Sequence, residues 1–503
     1  MTPPRRAGEA AALAAVLAMA VGARALAFGG VEAAYLGDDI RYVQVAQNLA
    51  HGFPPSGPAE WFGGRVAFLF PVAWLFRVFG ADDVTAVMWP FLGSLVAVVA
   101  AFLAGRRLAG PAVGLAASAI VAATPLEISM ATRLRPDAVM PGLIALAVWA
   151  ALGTRTGRSA MVWAGAAGAL LGVAWSAREM AVVMAPVVIA AGWPAGRRGL
   201  AWGAVGATAA VTAAVTACAA VGADPLLPIT GTAGASSTRN PSAAWSWGAT
   251  YAHRFLEGAF QPHNALFLAA PVLIAAVVVV VVGADRTARF PLLWSLWAAA
   301  YLEFGTLANL EKPTRFLLLA TIPAAVTVAL AARRLHERAW MVVAALMVVA
   351  SVTSLHAIPA AEGRGTDVWL LDRVAGRLRD LPPGPVVAES YTWQAKLSAF
   401  LDRGRQTVAV AQDPAFLTPA QRVARRRITP LPDVARGRGG YVVVAPVSAR
   451  SGWPANWNDY RRDFHQRIPW DQLHLVATVG AARIYRWPDG AAAGPRRAIS
   501  SPR

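Results

Sequence analysis

The chain has 503 residues, 56% of them hydrophobic and only 15% charged, with a mean hydropathy of +0.47. That composition excludes a single soluble globular fold and points to a polytopic membrane protein. A formal charge of +18, from 46 Lys plus Arg against 28 Asp plus Glu, would suggest nucleic acid in a soluble chain. Here the arginine pairs stand in short loops between apolar runs, where they set membrane orientation instead. The single Cys218 allows no internal disulfide and no thiolate metal site, and the seven His residues form no ligand-spaced cluster.

The N-terminal MTPPRRAGEA is followed by an apolar run from Ala10 to Phe28. It approaches the ~20 residues that cross the hydrocarbon, so a retained first span is preferred to a cleaved signal peptide. Next comes YLGDDIRYVQVAQNLAHGFPPS, from Tyr35 to Ser56. It reads as an amphipathic surface helix with Tyr42, Val45, Ala46 and Leu49 on one face and Arg41, Gln44, Asn48 and His51 on the other, stopped by Gly52. GRVAFLFPVAWLFRVFG, interrupted by Arg65, Pro71 and Arg77, reads as a second surface helix or re-entrant piece.

Further spans are expected at Val84 to Ala104, Pro111 to Thr124, Pro136 to Gly153, Ala160 to Ser176, Arg178 to Trp193 and Leu200 to Val221. The remaining ones are expected at Asn264 to Gly283, Phe290 to Ala308, Arg315 to Ala332 and Trp340 to Ala357, giving about eleven in all. With the N-terminus inside, the inner loops carry Arg106 and Arg107, Arg155 and Arg158, Arg197 and Arg198, Arg286 and Arg289, then Arg333, Arg334 and Arg338. The alternation holds at every inner turn, which puts the N-terminus in the cytoplasm and the C-terminus outside. The outer loops then hold Asp38 and Asp39, the turn PLEISMATRLRPD, the SARE segment, the long Gly222 to Pro262 stretch and NLEKPTRF.

From about Pro359 the hydrophobic runs shorten to strand length. TDVWLLDRVAGRLRDL has helical spacing, PPGPVVAES is a turn and a short strand, GGYVVVAPV is a strand, and LHLVATVGAARIYRW is a hairpin turning near Gly480. The expected organisation is a transmembrane domain over 1–358, a small extracytoplasmic α/β or α+β domain over 359–490 and a disordered tail over 491–503.

Ionisable groups beside apolar runs are expensive, so their gathering on one side is a functional signal. Asp38 and Asp39 stand just before a helix, where one acid is explained as an N-cap and the second less readily. Asp137, after Pro136, is locally comfortable at a helix start, and Arg178 with Glu179 could be a local ion pair. Arg133 and Arg135 are cations on the side that orientation does not call for. Lys312 and Arg315 stand at the outer start of a span, and Lys312 is one of only two lysines, with Lys396. A glycosyl donor on a lipid phosphate needs this chemistry. Its phosphate leaving group requires cations and no proton, and the acceptor hydroxyl requires one carboxylate base.

GDDIRYVQVAQNLAHG resembles the acidic first-loop motif of the type C glycosyltransferases, in the polyprenyl-phosphate-sugar group that includes protein O-mannosyltransferases and the lipid A aminoarabinose transferase. TRLRPDAVM is similar to that group's second outer acidic turn, and EKPTRFLLLATIP to its late basic segment, over roughly Ala10 to Ala332. The chain departs in having Asp-Asp where the mannosyltransferases commonly have Asp-Glu, and Phe316 where a Tyr is common. The resemblance implies an all-α membrane fold and sugar transfer from a polyprenyl-phosphate donor to a protein, lipid or glycan acceptor on the outer face of the plasma membrane. By the same resemblance Asp38 or Asp39 would be the catalytic base, and Asp137 would orient the acceptor or help bind a divalent ion such as Mg or Mn, which no spacing demands. Arg178, Lys312 and Arg315 would meet the donor phosphate, with Arg133 and Arg135 as further substrate contacts. A transporter or flippase of lipid-linked sugars is the alternative, although its charges would normally sit near the bilayer midplane.

Overall fold

The structure is a computed structural model that describes residues 3–28, 38–55, 62–155, 159–230, 286–301, 314–336, 341–342, 370–389, 440–444 and 470–487, with positions 345, 349, 397, 401 and 468. The expected span Asn264 to Gly283, nearly all of Trp340 to Ala357, Lys312 and the C-terminal tail lie outside the described residues. The chain divides into two compact units. The first takes Met1–Ala33, Ser56–Val72 and Val87–Glu362, and the second takes Ala34–Pro55, Ala73–Ala86 and Gly363–Arg503.

The first unit is helical. Its long elements are α1 (Pro3–Phe28), α4 (Asp83–Ala109, from Val87 onward), α5 (Pro111–Ala123), α7 (Met140–Leu152), α8 (Ala160–Ala177), α10 (Gly196–Ala220), α11 (Arg286–Ala300) and α12 (Leu318–Leu335). Shorter pieces are the start of α3 (Val66–Phe79), α6 (Pro125–Ala131) and α9 (Ala185–Gly192). Among the described residues, five helical stretches are long and apolar enough to cross a membrane, or six if the bent pair α5–α6 is one span. α3 and the stretch Pro136–Leu152 are shorter apolar helices.

Two differences from the expected spans have local causes. The outer turn expected after Thr124 contains a helix, α6, bent by 61° from α5. Pro125 lacks an amide hydrogen and pushes Thr124 into an extended conformation (φ −68°, ψ 118°), which ends α5. The span expected from Arg178 to Trp193 begins instead as a 3-10 segment, Glu179–Met184, and only then becomes α9. Gly196, at φ 63°, then separates α9 from α10, a conformation that glycine adopts without strain.

Small residues let α8 and α10 pack backbone to backbone. A Cβ on Gly168 would stand 1.8 Å from the carbonyl of Gly203, and one on Gly206 would stand 2.0 Å from the carbonyl of Gly165. α12 packs on α5, α7 and α11, and α1 packs on α5 and α6. The buried core runs from Ala97, Val98 and Ala101 of α4 through Ile144 and Val148 of α7 to Ile322, Val326 and Ala329 of α12.

The helix directions sort the charges onto two opposite ends. At one end Arg106 pairs with Glu9 at 3.2 Å, and Arg107 donates to the Trp149 carbonyl at 2.7 Å between the rings of Trp149 and Trp163. Arg333, in the last turn of α12, donates to the carbonyl of Ala109 there too. Asp137, Arg178 and Arg315 lie at the other ends of α7, α8 and α12. From Arg315 to Arg333 a helical rise gives about 27 Å, close to the ~30 Å hydrocarbon thickness.

In the second unit the expected helix is present as α2 (Asp38–Ala50), with Tyr42, Val45 and Ala46 buried, but Val43 and Gln47 are buried as well and Leu49 and Asn48 are both half-buried, so the burial does not follow the expected two faces. Gly52, at φ 81°, follows its end. The C-terminal part has helix α13 (Leu370–Asp380), whose Leu370, Leu371, Val374 and Leu378 are buried, and strands β1 (Val386–Ala388), β2 (Gly440–Val444), β3 (His474–Val479) and β4 (Ala482–Trp487). The sheet order is β1-β2-β4-β3, with β1 parallel to β2 and the other pairs antiparallel. β3 and β4 form the expected hairpin, turning at Gly480 with φ 55°.

Candidate active site

Five ionised side chains gather within the first unit: Arg65, Asp137, Arg178, Glu179 and Arg315. Each stands at or just before the start of a helix. Arg65 precedes α3, Asp137 lies in the 3-10 turn Pro136–Ala138 before α7, and Arg315 lies in the 3-10 turn Thr314–Leu317 before α12. Arg178 is an extended residue (φ −153°, ψ 119°) where α8 has ended, and Glu179 opens the 3-10 segment that leads into α9. The start of α3, the 3-10 segments that lead into α7, α9 and α12, and the C-terminal end of α8 therefore meet the same cluster.

Arg65 grips Glu179 with a two-pronged fork, Nη2 to Oε1 at 2.8 Å and Nε to Oε2 at 3.0 Å. Arg178 lies between the two acids, its Nε 3.6 Å from Asp137 Oδ1 and its Nη1 3.9 Å from Glu179 Oε1. Arg315 Nε stands 3.9 Å from the other Asp137 oxygen. The Arg178 and Arg315 guanidinium carbons are each 5.4 Å from the centre of the Phe316 ring, a separation suited to cation–π attraction. Phe316, which replaces the Tyr common in the resembling group, thus lies against both cations.

Asp137, Arg65 and Arg178 are buried, whereas the Arg315 side chain is 22% exposed and that of Glu179 is 17% exposed. Burial pulls the Arg65 guanidinium down to about 10, with Arg178 adding to the shift and Glu179 opposing it, so it is still charged at neutral pH. Three guanidiniums face two carboxylates. The cluster carries one net positive charge, opens towards Arg315 and Glu179, and is equipped to receive an anion.

Of the residues singled out in the sequence, the structure brings Asp137, Arg178 and Arg315 together. Arg135 is buried and Arg133 half-buried in the turn before Asp137. Asp39 is fully buried at the start of α2, in the other unit, and Lys312 is outside the described residues. Sequence reasoning missed Arg65 as a member, although an arginine against an apolar run was a visible signal. The local ion pair of Arg178 with Glu179 is present at 3.9 Å, but Glu179 is also hydrogen-bonded by Arg65, 114 positions away, which sequence reasoning did not find.

The described donor set does not fit a divalent cation. Both Asp137 oxygens face guanidiniums, and among the described residues no three His, Cys, Asp or Glu side chains stand close enough to hold a metal.

Residues 67–222 match the family described as dolichyl-phosphate-mannose-protein mannosyltransferase. No curated protein matches the chain. Among solved structures it is similar to ArnT from Cupriavidus metallidurans in the apo state, at 15% identity and a TM-score of 0.62, covering 97% of this chain and 100% of that one. The same protein bound to undecaprenyl phosphate matches at 14% identity and a TM-score of 0.61, covering 96% and 99%. The archaeal oligosaccharyltransferase AglB from Archaeoglobus fulgidus, in complex with an inhibitory peptide and a dolichol-phosphate, matches at 13% identity and a TM-score of 0.51, covering 88% and 70%. The chain is therefore a membrane protein with the fold of the type C glycosyltransferases.

Proposed function

We propose that the protein is an integral membrane glycosyltransferase that moves a sugar from a polyprenyl-phosphate donor to an acceptor on the outer face of the membrane. The observation that carries this reading is the cluster of Arg65, Arg178 and Arg315 around Asp137 and Glu179, three guanidiniums against two carboxylates. A polyprenyl-phosphate sugar carries one negative charge on its phosphodiester. When the bond between sugar C1 and the phosphate oxygen breaks, the phosphate gains a second, and fixed guanidiniums stabilise that developing charge without reorganising.

In this reading Arg178 and Arg315 meet the phosphate, with Lys312 as a further cation. Asp137 holds the two guanidiniums apart and aimed, and Arg65 with Glu179 braces Arg178 from behind. Arg133 and Arg135 border the site. A carboxylate base removes the proton from the acceptor hydroxyl, a role that the sequence resemblance gives to Asp38 or Asp39; the hydroxyl oxygen forms the new bond to C1, and the configuration at C1 inverts. The lipid phosphate leaves without a proton. The role once expected of Asp137 in binding a divalent ion is not carried forward, because its oxygens face arginine.

In this reading the chain lies in the plasma membrane, with about eleven spans over 1–358 from the apolar runs, a cytoplasmic N-terminus from the loop charges, an extracytoplasmic domain over 359–490 and a tail over 491–503. Undecaprenyl phosphate binding to the purified chain tests the site. Arg178→Gln and Arg315→Gln variants that fold should each bind more weakly than the parent. Unchanged binding in both would refute the phosphate site.

A further inference from the structure

A second buried polar cluster lies outside the arginine site, at the break between α5 and α6. Arg24 of α1 is fully buried. It donates to Ser94 of α4 through Nε at 2.9 Å and Nη2 at 2.7 Å, and through Nη1 to the carbonyls of Ala20 at 3.1 Å and Ala122 at 3.0 Å. Ala122 lies in the last turn of α5, where carbonyls lack partners within the helix, so the guanidinium satisfies one of them. Ser94 Oγ in turn donates to Glu127 Oε1 at 2.9 Å. Glu127 sits in the first turn of α6, where a carboxylate suits the helix dipole.

The guanidinium and the carboxyl group thus face the two sides of the break, joined through one hydroxyl. Among the described residues no hydrogen bond reaches Glu127 Oε2, so the hydrogen-bonded link to α6 runs through Ser94 alone. Burying such a polar network costs desolvation and is weak evidence for stability by itself, which makes a role in fixing geometry the better explanation of its presence.

The other face of α6 leads to the arginine cluster. Leu126 and Met130 form one buried apolar group with Ala138, next to Asp137, and with Leu318, three residues beyond Arg315. Ile128 packs on Ala27 of α1, close to Arg24. The seven-residue α6 is therefore held by the polar network on one side and supports the turns that carry Asp137 and Arg315 on the other.

We infer that Arg24, Ser94 and Glu127 form a polar joint that sets the angle of α6 and so positions Asp137 and Arg315 for the lipid phosphate. They are positioning residues and touch no substrate. The inference rests on the phosphate-binding reading above and assigns to that site a support that lies in the neighbouring polar cluster.

The test measures undecaprenyl phosphate binding to the purified full-length chain alongside its thermal unfolding. Glu127→Gln and Ser94→Ala should each weaken binding about tenfold, the scale on which indirect positioning changes act, while a cooperative unfolding transition is kept. Ser94→Thr, which retains the hydroxyl, should restore binding. In an Arg315→Gln background the Glu127→Gln change should have a much smaller effect, because both act through one contact. Parent-like affinity in the folded variants would overturn the joint while leaving the phosphate site standing. Loss of folding in both variants would also overturn it, by showing a support for the whole fold. A parent chain that binds no undecaprenyl phosphate would refute the phosphate-site reading itself, and the joint with it.

Discussion

Replacing Arg65 by Met separates the energetic role of the arginine cluster from its charge. Arg65 is buried and makes two hydrogen bonds of 2.8 and 3.0 Å to Glu179, so the substitution leaves a partly buried carboxylate without its fork. Breaking a buried ion pair by removing one partner costs about 3–5 kcal/mol. Glu179 keeps Arg178 at 3.9 Å and has a 17% exposed side chain, which places the expected loss at the lower end, about 3 kcal/mol. Glu179→Met should also destabilise, since Arg65 and Arg178 would then repel without an acid between them. The double variant should recover part of the loss, with a coupling energy of about 2 kcal/mol. Unfolding in mixed micelles, followed by tryptophan fluorescence for the four proteins of the cycle, measures that coupling. Single losses that add to within about 0.5 kcal/mol would refute the pairing and with it the bracing of Arg178.

Asp38→Asn and Asp39→Asn variants that fold and insert should lose sugar transfer from a polyprenyl-phosphate sugar, and full transfer by both would remove α2 from the chemistry. Asp137→Asn should lower thermal stability in the absence of lipid, because Arg178 and Arg315 lose their shared counter-charge. Because the two guanidiniums are then no longer aimed, undecaprenyl phosphate should raise the unfolding temperature by less in this variant than in the parent, and an equal or larger rise would count against the role of Asp137. Gly206→Val would drive a side chain into the Gly165 carbonyl, 2.0 Å from the Cβ position, and should destabilise by about 1–3 kcal/mol in the same unfolding assay.

Much of this architecture was legible in the sequence because apolar runs and charge positions are properties of single segments. Arg106, Arg107 and Arg333, three of the arginines expected in inner loops, meet Glu9, Trp149 and Ala109 near the ends of other helices. The hairpin at Gly480 and the strand at Val386–Ala388 followed from turn residues and strand-length runs. The bend at Thr124 was not foreseen, because Pro125 reads equally as the end of a span and as the first turn of a new helix. The partners of the charged groups were beyond reach for a different reason. Arg65 finds Glu179 114 residues later and Arg24 finds Ser94 70 residues later, pairings that depend on how helices pack and leave no periodic trace. Asp137 is open in the sequence to reading as a capping acid or as a site residue, and only the packing brings Arg178 and Arg315 to its two oxygens.

The most direct measurement is an experimental structure of the full-length chain with undecaprenyl phosphate bound. The phosphate oxygens should lie within hydrogen-bonding distance of the Arg178 and Arg315 guanidiniums, with Asp137 still between the two side chains. A phosphate bound elsewhere, with the five-residue cluster closed on itself and unchanged, would contradict the proposed site.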